Sequence, residues 1–374
     1  MSAPDLTSLR DRIDAVDRQI IALLAERLTI VEDVARAKLA AASPFRDRTR
    51  EERLLLRLRE HAAAAGVDPH QIERIYRVVM DMSVAHQEAT MRDRPDAPLR
   101  IVYQGVEGSF SHLAAQRRYA GRTGGALLTG HDSFRGAAEA VIAGVADLAL
   151  LPIENSTAGS INEVYDLLAG GKLHVTGEVV NPIEHCLLAL PGVALDELRV
   201  VISHPVALAQ CTDLFAQHPQ LTARPELDTA GAARRVRDAG DRTLGAIASA
   251  TAAQTYGLHI VKQGVQSAAG NATRFVEVSL HAAPVAEGTA AKTSLLLALA
   301  DRPGALGEIL MRFAARGLSL TKLESRPIPE TPWSYRFYVD VTGHAASEPF
   351  VQALDDIRPL TTDLRVLGTY AAAL

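Results

Sequence analysis

The stretch D-L-A-L-L-P-I-E-N-S-T-A-G-S-I-N-E-V-Y-D-L-L, residues 147–168, decides how the chain is read. Residues 147–153 form a short apolar run closed by a proline, which predicts a buried strand of an α/β sheet. Residues 154–160 are almost wholly small and polar. Ile161, Val164, Tyr165 and Leu168 then recur at helical spacing, with Ser160 or Asn162 placed to cap the helix. A polar loop between a buried strand and a helix N-terminus lies at the carboxyl edge of the sheet, where ligands usually bind in open α/β folds. Its backbone N–H groups and the helix dipole suit an anion. Asn155, Ser156 and Thr157 add neutral hydrogen-bonding side chains, so a carboxylate-bearing small molecule is expected here. An ordinary strand-to-helix turn has the same composition, and the stretch alone leaves both readings open.

Outward from this stretch, strand and helix patterns alternate from Ile101 to Tyr256, interrupted by an extended crossing over residues 174–190. Such alternation implies mostly parallel sheets flanked by helices, divided by the crossing into two lobes with a ligand cleft between them. Several polar loops fall at strand ends, where that cleft would collect them. They are Ser109-Phe110-Ser111, residues 154–160, Ser203-His204-Pro205 with Gln210 on the following helix, and Asn271-Ala272-Thr273-Arg274-Phe275. Arg274 beside the Thr273 hydroxyl suits an acidic substrate. Ser109 as a helix cap, His204 as a packed loop residue and Arg274 as an ion-pair partner remain open alternatives.

The two ends differ from this body. Over residues 6–39 apolar side chains recur in steps of three and four without Gly or Pro, marking one unusually long amphipathic helix. A charged helix over 46–60 and a third over about 70–89 follow. Three helices so unequal cannot bury the first one's apolar stripe alone, so pairing between two subunits is expected. On that first helix Arg27 and Lys38, eleven positions apart, lie within about 20° of each other and about 16 Å apart along the axis. Arg10 falls about 100° off their face and would more naturally serve a partner's site. Asp47 with Glu51, and Ser83 with Gln87, share helix faces at i,i+4. At the other end, residues 292–370 read as strand, helix, two strands, helix and strand, the βαββαβ order of an α+β ferredoxin-like sandwich.

Composition narrows the function. With 374 residues and a net charge of −5, the chain predicts two or three domains and no pull toward nucleic acid or anionic membranes. Two cysteines, no leader-like N-terminus and no apolar run of spanning length point to a cytoplasmic protein, with no membrane partner. CxxC pairs, HExxH, a Walker loop and a dinucleotide fingerprint are missing from the sequence, so no metal and no cofactor is expected.

The ordered segments L-R-D-R-I-D, A-L-L-A-E-R, A-R-A-K-L, F-R-D-R-T-R-E-E-R and S-V-A-H-Q resemble the all-helical (all-α) chorismate mutase family. The resemblance implies that Arg10 from a partner subunit, Arg27, and Arg50 or its neighbours handle the two carboxylates of chorismate. It implies that Lys38 and Gln87 donate to the ether oxygen, and that Glu51, with Asp47 and Ser83, holds the substrate hydroxyl side. No nucleophile is needed, because aimed donors and a clamped conformer stabilise a pericyclic transition state.

G-V-E-G-S-F-S, the 147–168 stretch, S-H-P-V-A-L-A-Q-C, T-A-G-A-A, A-I-A-S-A-T-A-A and N-A-T-R-F resemble prephenate dehydratases. That family implies a bilobal α/β fold like type-2 periplasmic binding proteins. Prephenate would lie in the cleft, Thr273 would assist departure of the ring hydroxyl, and Arg274, Asn155, Ser203 and Gln210 would position carboxylates and hydroxyl. Ser109, Ser156, Thr157 and His204 complete the expected binding set, with Phe275 shaping the pocket. Val106 stands where the family often has proline, and a changed loop conformation is expected there.

D-R-P-G-A-L-G-E-I-L and E-S-R-P resemble the regulatory ACT domain, which implies an L-phenylalanine site drawing on Gly304, Ala305, Leu306, Glu324, Ser325 and Arg326. Gly307 replaces the larger residue often found there, and puts the strength of that binding in question. The three resemblances follow the order of the bifunctional chorismate mutase–prephenate dehydratases, with domains expected over 1–95, 99–282 and 291–374. The implied partners are chorismate, prephenate, L-phenylalanine and at least one further copy of the chain. The alternatives are a dehydratase with a non-catalytic helical dimerisation segment, and an aromatic-ligand sensor.

Overall fold

The computed structural model describes residues 6–40, 48–92, 98–285, 289–299, 302–328 and 331–373. The chain forms two compact units, residues 1–97 and 98–374.

The first unit contains α1 (Leu6–Ala40), α2 (Arg48–Ala64) and α3 (Pro69–Arg92). The period of three and four gives α1 its continuous helix, 35 residues long. Its own unit buries little of it. Val31 is covered, and Leu55, Ala62 and Met80 are buried on the other two helices. Ile13, Val16, Ile20 and Leu23 remain about half exposed or more, at 59, 53, 49 and 65 %.

The second unit opens with β1 (Leu99–Gln104), α4 (Phe110–Tyr119), β2 (Ala126–His131), α5 (Phe134–Ile142), β3 (Leu148–Asn155), β4 (Gly159–Ser160), α6 (Asn162–Ala169) and β5 (His174–Pro182). The chain then crosses to β6 (Cys186–Ala189), β7 (Val200–Ser203), α7 (Pro205–Ala209), α8 (Thr212–Gln217), β8 (Thr222–Pro225), α9 (Thr229–Ala239), β9 (Leu244–Ala248), α10 (Ala250–Tyr256) and β10 (His259–Lys262). It returns as β11 (Ala272–Ser279) to the first sheet, whose order is β2-β1-β3-β11-β5 with β4 beside β3. The second sheet runs β10-β6-β9-β7-β8. Two crossings therefore join two lobes, and they pair with each other: Ile183 N donates to Asn271 O at 2.9 Å, and Val265 N to His185 O at 2.9 Å.

Each sheet is mixed rather than mostly parallel. β1 pairs in parallel with β2 and β3, but β11 is antiparallel to both β3 and β5. The reason is the crossing itself, since a strand returning from the far lobe enters the first sheet from the opposite end. The helix expected over 206–215 is also two short helices, α7 and α8, hinged at Gln210 and Cys211.

The tail adds β12 (Ala291–Leu299), α11 (Ala305–Ala315), β13 (Leu320–Pro327), β14 (Tyr335–Thr342), α12 (Glu348–Ile357) and β15 (Thr361–Ala371). Its sheet, β13-β14-β12-β15, is wholly antiparallel, giving the expected ferredoxin-like sandwich. One face holds the tail's own core of Leu295, Leu297, Ile309, Phe313, Phe350 and Ile357. The other presents Leu296, Tyr338, Leu367 and Tyr370 to the first lobe, in one apolar cluster with Leu151, Tyr165, Val175 and Val276. This shared core makes lobe and tail one unit. Gly368 permits the closest approach, because a Cβ there would collide with the Val175 backbone.

Candidate active sites

In the helical unit, Arg27 on α1 donates to the Ser83 hydroxyl on α3, and Ser83 donates to Val79 O at 2.6 Å. Two of the expected residues thus meet across helices. Arg10 is exposed on α1, seventeen residues and about 25 Å along the axis from Arg27. Arg50 is exposed and Glu51 half-buried on α2. Asp47 and the side chains of Lys38 and Gln87 lie outside the described residues.

In the second unit the last residue of β3, the C-terminus of α7, both crossings and the start of β11 converge on one polar cluster. Asn155 Oδ1 accepts from Thr157 N (3.0 Å), Ala158 N (2.8 Å), Thr157 Oγ1 (2.8 Å) and Gln210 Nε2 (3.0 Å). Its Nδ2 donates to Thr273 Oγ1 at 3.0 Å, Asn271 Oδ1 at 2.8 Å and Ala272 O at 3.1 Å. Gln210 reaches across from the second lobe, its Nε2 also meeting Thr157 Oγ1 at 2.6 Å. Ser156 ties the loop to the return crossing, accepting from Ala272 N at 3.0 Å and donating to Gly270 O at 3.3 Å. Asn155, Ser156, Thr157, Gln210 and Thr273 are therefore brought together. They offer neutral, oriented donors and a hydroxyl at a sheet edge, which suits holding an anion and hydrogen-bonding a leaving oxygen.

Other expected residues are committed elsewhere. Ser203 is fully buried and donates to Ile247 O at 2.6 Å. Ser109 caps α4, accepting from His112 N at 3.3 Å, and His204 caps α7, its Nδ1 accepting from Val206 N at 3.2 Å. The α6 cap expected from Ser160 or Asn162 is instead Ile161 with no side-chain bond, because Ser160 turns to Glu324 and Lys322 of the tail. Val106 packs against the second lobe's core beside Ala252, and Tyr256 and Ser249 donate to Glu107 O and Gly108 O, each at 2.8 Å. That loop fastens the lobes together.

Arg274 takes the ion-pair alternative. Side chains alternate along β11, so Thr273, Phe275 and Glu277 face α4 while Arg274, Val276 and Val278 face the tail. Arg274 Nε lies 2.9 Å from Glu154, and its Nη1 lies 3.1 Å from Glu178 and 2.8 Å from Asp340 of β14. Burial opposes the charge on the guanidinium, but Asp340, Glu154 and Glu178 outweigh it and hold its pKa up. Burial likewise works against the Glu154 charge, and Lys322 and Arg274 more than compensate, lowering its pKa. Phe275 shares the face of Thr273 but lies two residues further into the sheet, in the core with Ala114, Ala115 and Leu150.

The tail's expected regulatory residues divide by strand face. On β13, Lys322, Glu324 and Arg326 turn toward the first lobe. Lys322 lies 2.7 Å from Glu154, Glu324 bonds Ser160, and Arg326 lies 2.8 Å from Asp166. Ser325 is exposed on the opposite face. Gly304, with φ 81°, is the N-cap of α11, Ala305 is buried and Leu306 half-buried. A Cβ at Gly307 would meet nothing within 4 Å, so the chain itself leaves room for the larger residue.

Sequence reasoning missed His185, Asn181, Glu178 and Asp340, and assigned Asn271 no role. His185 and Asn271 reach the cluster only because the two crossings pair. Asn181 stands in register with Thr273 on β5, its Oδ1 buried without a hydrogen-bond partner. Cys186 and Cys211 are both buried and free. Among the described residues no cluster fit for a metal ion occurs, and no helix is long and apolar enough to cross a membrane.

Three family models match in sequence order: chorismate mutase type II over residues 9–88, prephenate dehydratase over 101–283 and ACT domain over 293–359. The bifunctional chorismate mutase/prephenate dehydratase of Enterobacter agglomerans is 37% identical over 370 residues, covering 98% of this chain and 95% of the relative. The structure of prephenate dehydratase from Arthrobacter aurescens in complex with L-Phe aligns with a TM-score of 0.68 and 32% identity, covering 74% of this chain and 90% of that one. A structure titled GqqA, a novel type of quorum quenching acylases, aligns with a TM-score of 0.66 and 35% identity, covering 73% of this chain and 98% of that one. Matched in all three parts and along nearly its whole length, the chain belongs to the bifunctional chorismate mutase/prephenate dehydratase family.

Proposed function

We propose that the chain rearranges chorismate to prephenate in its helical unit and converts prephenate to phenylpyruvate in its bilobal domain, under feedback by L-phenylalanine at the tail. The observation that carries the dehydratase reading is the Asn155–Thr273 contact at 3.0 Å, inside a cluster contributed by both lobes. Prephenate carries a ring carboxylate and, across the ring, a hydroxyl. As the bond to the carboxylate breaks, its electron pair enters the ring, and the bond to the hydroxyl breaks to complete aromaticity. One proton is taken up, and carbon dioxide and water leave. Thr273 Oγ1 accepts from Asn155, so its own proton is available to the departing hydroxyl. A threonine hydroxyl is a weak acid, and a directed hydrogen bond to developing negative charge is its contribution.

For the mutase step, Arg27 held by Ser83 supplies one carboxylate contact, with Lys38, Gln87, Glu51, Asp47 and Arg50 completing the site. Arg10 lies too far along α1 to join Arg27 of its own chain, so a second copy supplies it across the exposed apolar stripe. The protein is then a dimer or larger homo-oligomer, working in the cytoplasm without a cofactor, and its domains span 1–95, 99–282 and 291–374.

The test uses chorismate as sole substrate, following chorismate loss and phenylpyruvate appearance together. Wild type should yield phenylpyruvate, and Thr273→Ala should consume chorismate and stop at prephenate. Untouched chorismate in wild type would refute the mutase assignment, and undiminished phenylpyruvate from Thr273→Ala would refute the role of Thr273.

A further inference from the structure

The amide cluster fixes its own proton positions, and following them leads to a residue outside the expected set. Backbone N–H groups only donate, so Thr157 N and Ala158 N identify the oxygen end of Asn155. The other end is then the NH2 group, which agrees with its contact to Ala272 O, an obligate acceptor. An oxygen at Asn155 Oδ1 requires the NH2 end of Gln210 opposite it at 3.0 Å. Gln210 Oε1 therefore lies on the far side, where it accepts from Asn271 Nδ2 at 3.1 Å and meets His185 Nε2 at 2.8 Å. A nitrogen facing that oxygen must carry the hydrogen.

We propose that His185, as the Nε2–H tautomer, is a positioning residue of the dehydratase site: it closes the relay through Gln210 and Asn155 that leaves the Thr273 hydroxyl proton free for substrate. This inference rests on the reading of the bilobal domain as a prephenate dehydratase. The relay is anchored at one end by two backbone N–H groups and at the other by His185, so neither amide can turn over without losing bonds. With the His185 donor removed, Asn271 Nδ2 is the one described hydrogen bond left on Gln210 Oε1, so a turn of the amide, which sets oxygen against the oxygens of Asn155 and Thr157, costs one bond fewer. Asn155 then shifts, and with it the direction of Thr273.

The surroundings of the ring support a fixed tautomer. His185 sits on the first crossing, 2 % exposed, with Phe110 edge-on at 5.4 Å between centroids. Its backbone is pinned too, since His185 N donates to Gln266 Oε1 at 2.9 Å and His185 O accepts from Val265 N at 2.9 Å. Nδ1 is buried without a hydrogen-bond partner, as suits a nitrogen bearing no hydrogen. Burial also lowers the imidazole pKa, against the Gln210 bond that raises it, which keeps the ring uncharged.

Two measurements test this on the full chain. In steady-state kinetics with prephenate, His185→Leu should lower kcat about ten- to hundredfold, the scale of a misdirected catalytic group, with KM little changed. His185→Gln, whose amide nitrogen reaches the Nε2 position, should restore most of the rate. Chorismate consumption by the helical unit should be equal in all three proteins. Nitrogen-15 NMR of histidine-labelled protein, with the His185 signals identified by their loss in His185→Gln, should show hydrogen on Nε2 and none on Nδ1 at neutral pH. Hydrogen on Nδ1, a His185→Gln as slow as His185→Leu, or a His185→Leu as fast as wild type would each overturn the proposal. If wild type leaves prephenate unchanged, the dehydratase reading fails separately, and the tautomer is still read from the NMR spectrum.

Discussion

Replacing Arg274 by methionine separates two accounts of the most conspicuous charge in the second unit. A guanidinium that bound a substrate carboxylate would, when lost, raise KM and leave stability alone. The observed ion pairs require the opposite. The Arg274 side chain is 10% exposed, between Glu178 at 1% and Asp340 at 11%. Removing one partner of a buried ion pair costs about 3–5 kcal/mol, because the remaining charge is left uncompensated. Here each carboxylate keeps a second partner: Glu178 has Lys292 at 2.7 Å and Asp340 has the Ser294 hydroxyl at 2.5 Å. The lower end, about 3 kcal/mol, is therefore expected. At about 2–4 °C per kcal/mol for a domain near this size, the transition that abolishes prephenate turnover should fall by about 6–12 °C. Adding Asp340→Asn to Arg274→Met removes one stranded charge and should recover part of the loss. Thermal unfolding by circular dichroism, with KM for prephenate measured on the same samples, decides it. A KM raised tenfold or more with an unchanged midpoint would refute the structural role of Arg274.

Three further outcomes are expected. Lys322→Met, which cuts the tail's link to Glu154 and Ser160, should weaken L-phenylalanine inhibition of prephenate turnover while leaving uninhibited turnover near wild type; full inhibition at unchanged phenylalanine concentration would count against that link. Arg27→Met should lower chorismate turnover at least a hundredfold, the scale of a lost transition-state donor, with prephenate turnover intact, and an equal fall in both rates would mean misfolding instead. Burial lowers the pKa of His112, His174, His185 and His204, so the unfolded chain binds more protons than the folded one just below pH ~6.5, and stability falls with acidification there. The urea midpoint of the second unit should drop between pH 7.5 and 5.5, and a flat or rising midpoint would contradict the sign.

The architecture was legible because periodicity reports burial directly. The long three-four repeat of α1, the apolar run of β3 and the βαββαβ order of the tail each depend on local spacing alone. The parallel count failed at β11, whose direction follows from the path between lobes and leaves no local mark. The same holds for the site. Asn155, Thr157 and Thr273 stand in recognisable segments, whereas His185 joins them only through the pairing of two crossings 80 residues apart in sequence, His185 N with the Gln266 side chain being 81 positions apart. Ser203 and His204 were read from their place at a strand end, but their polar atoms satisfy nearby backbone groups instead. Arg274 meets Glu154, Glu178 and Asp340, the ion-pair alternative left open by the sequence, because adjacency in sequence means opposite faces in a strand.

That opposition on β11 constrains how the protein can be altered. Consecutive residues answer to different parts of the molecule, Thr273 to the Asn155 cluster and Arg274 to the tail, with no spacer to absorb a change in either. Cutting off the tail to obtain an enzyme deaf to its end product would uncover Glu178, Leu151 and Val276 along with the Arg274 cluster, giving a sticky, weakened sheet in place of a liberated one. Deregulated variants are better sought as single replacements along the rim of β13, where Lys322 and Arg326 meet the first lobe, since these loosen the tail's hold without stripping away its cover.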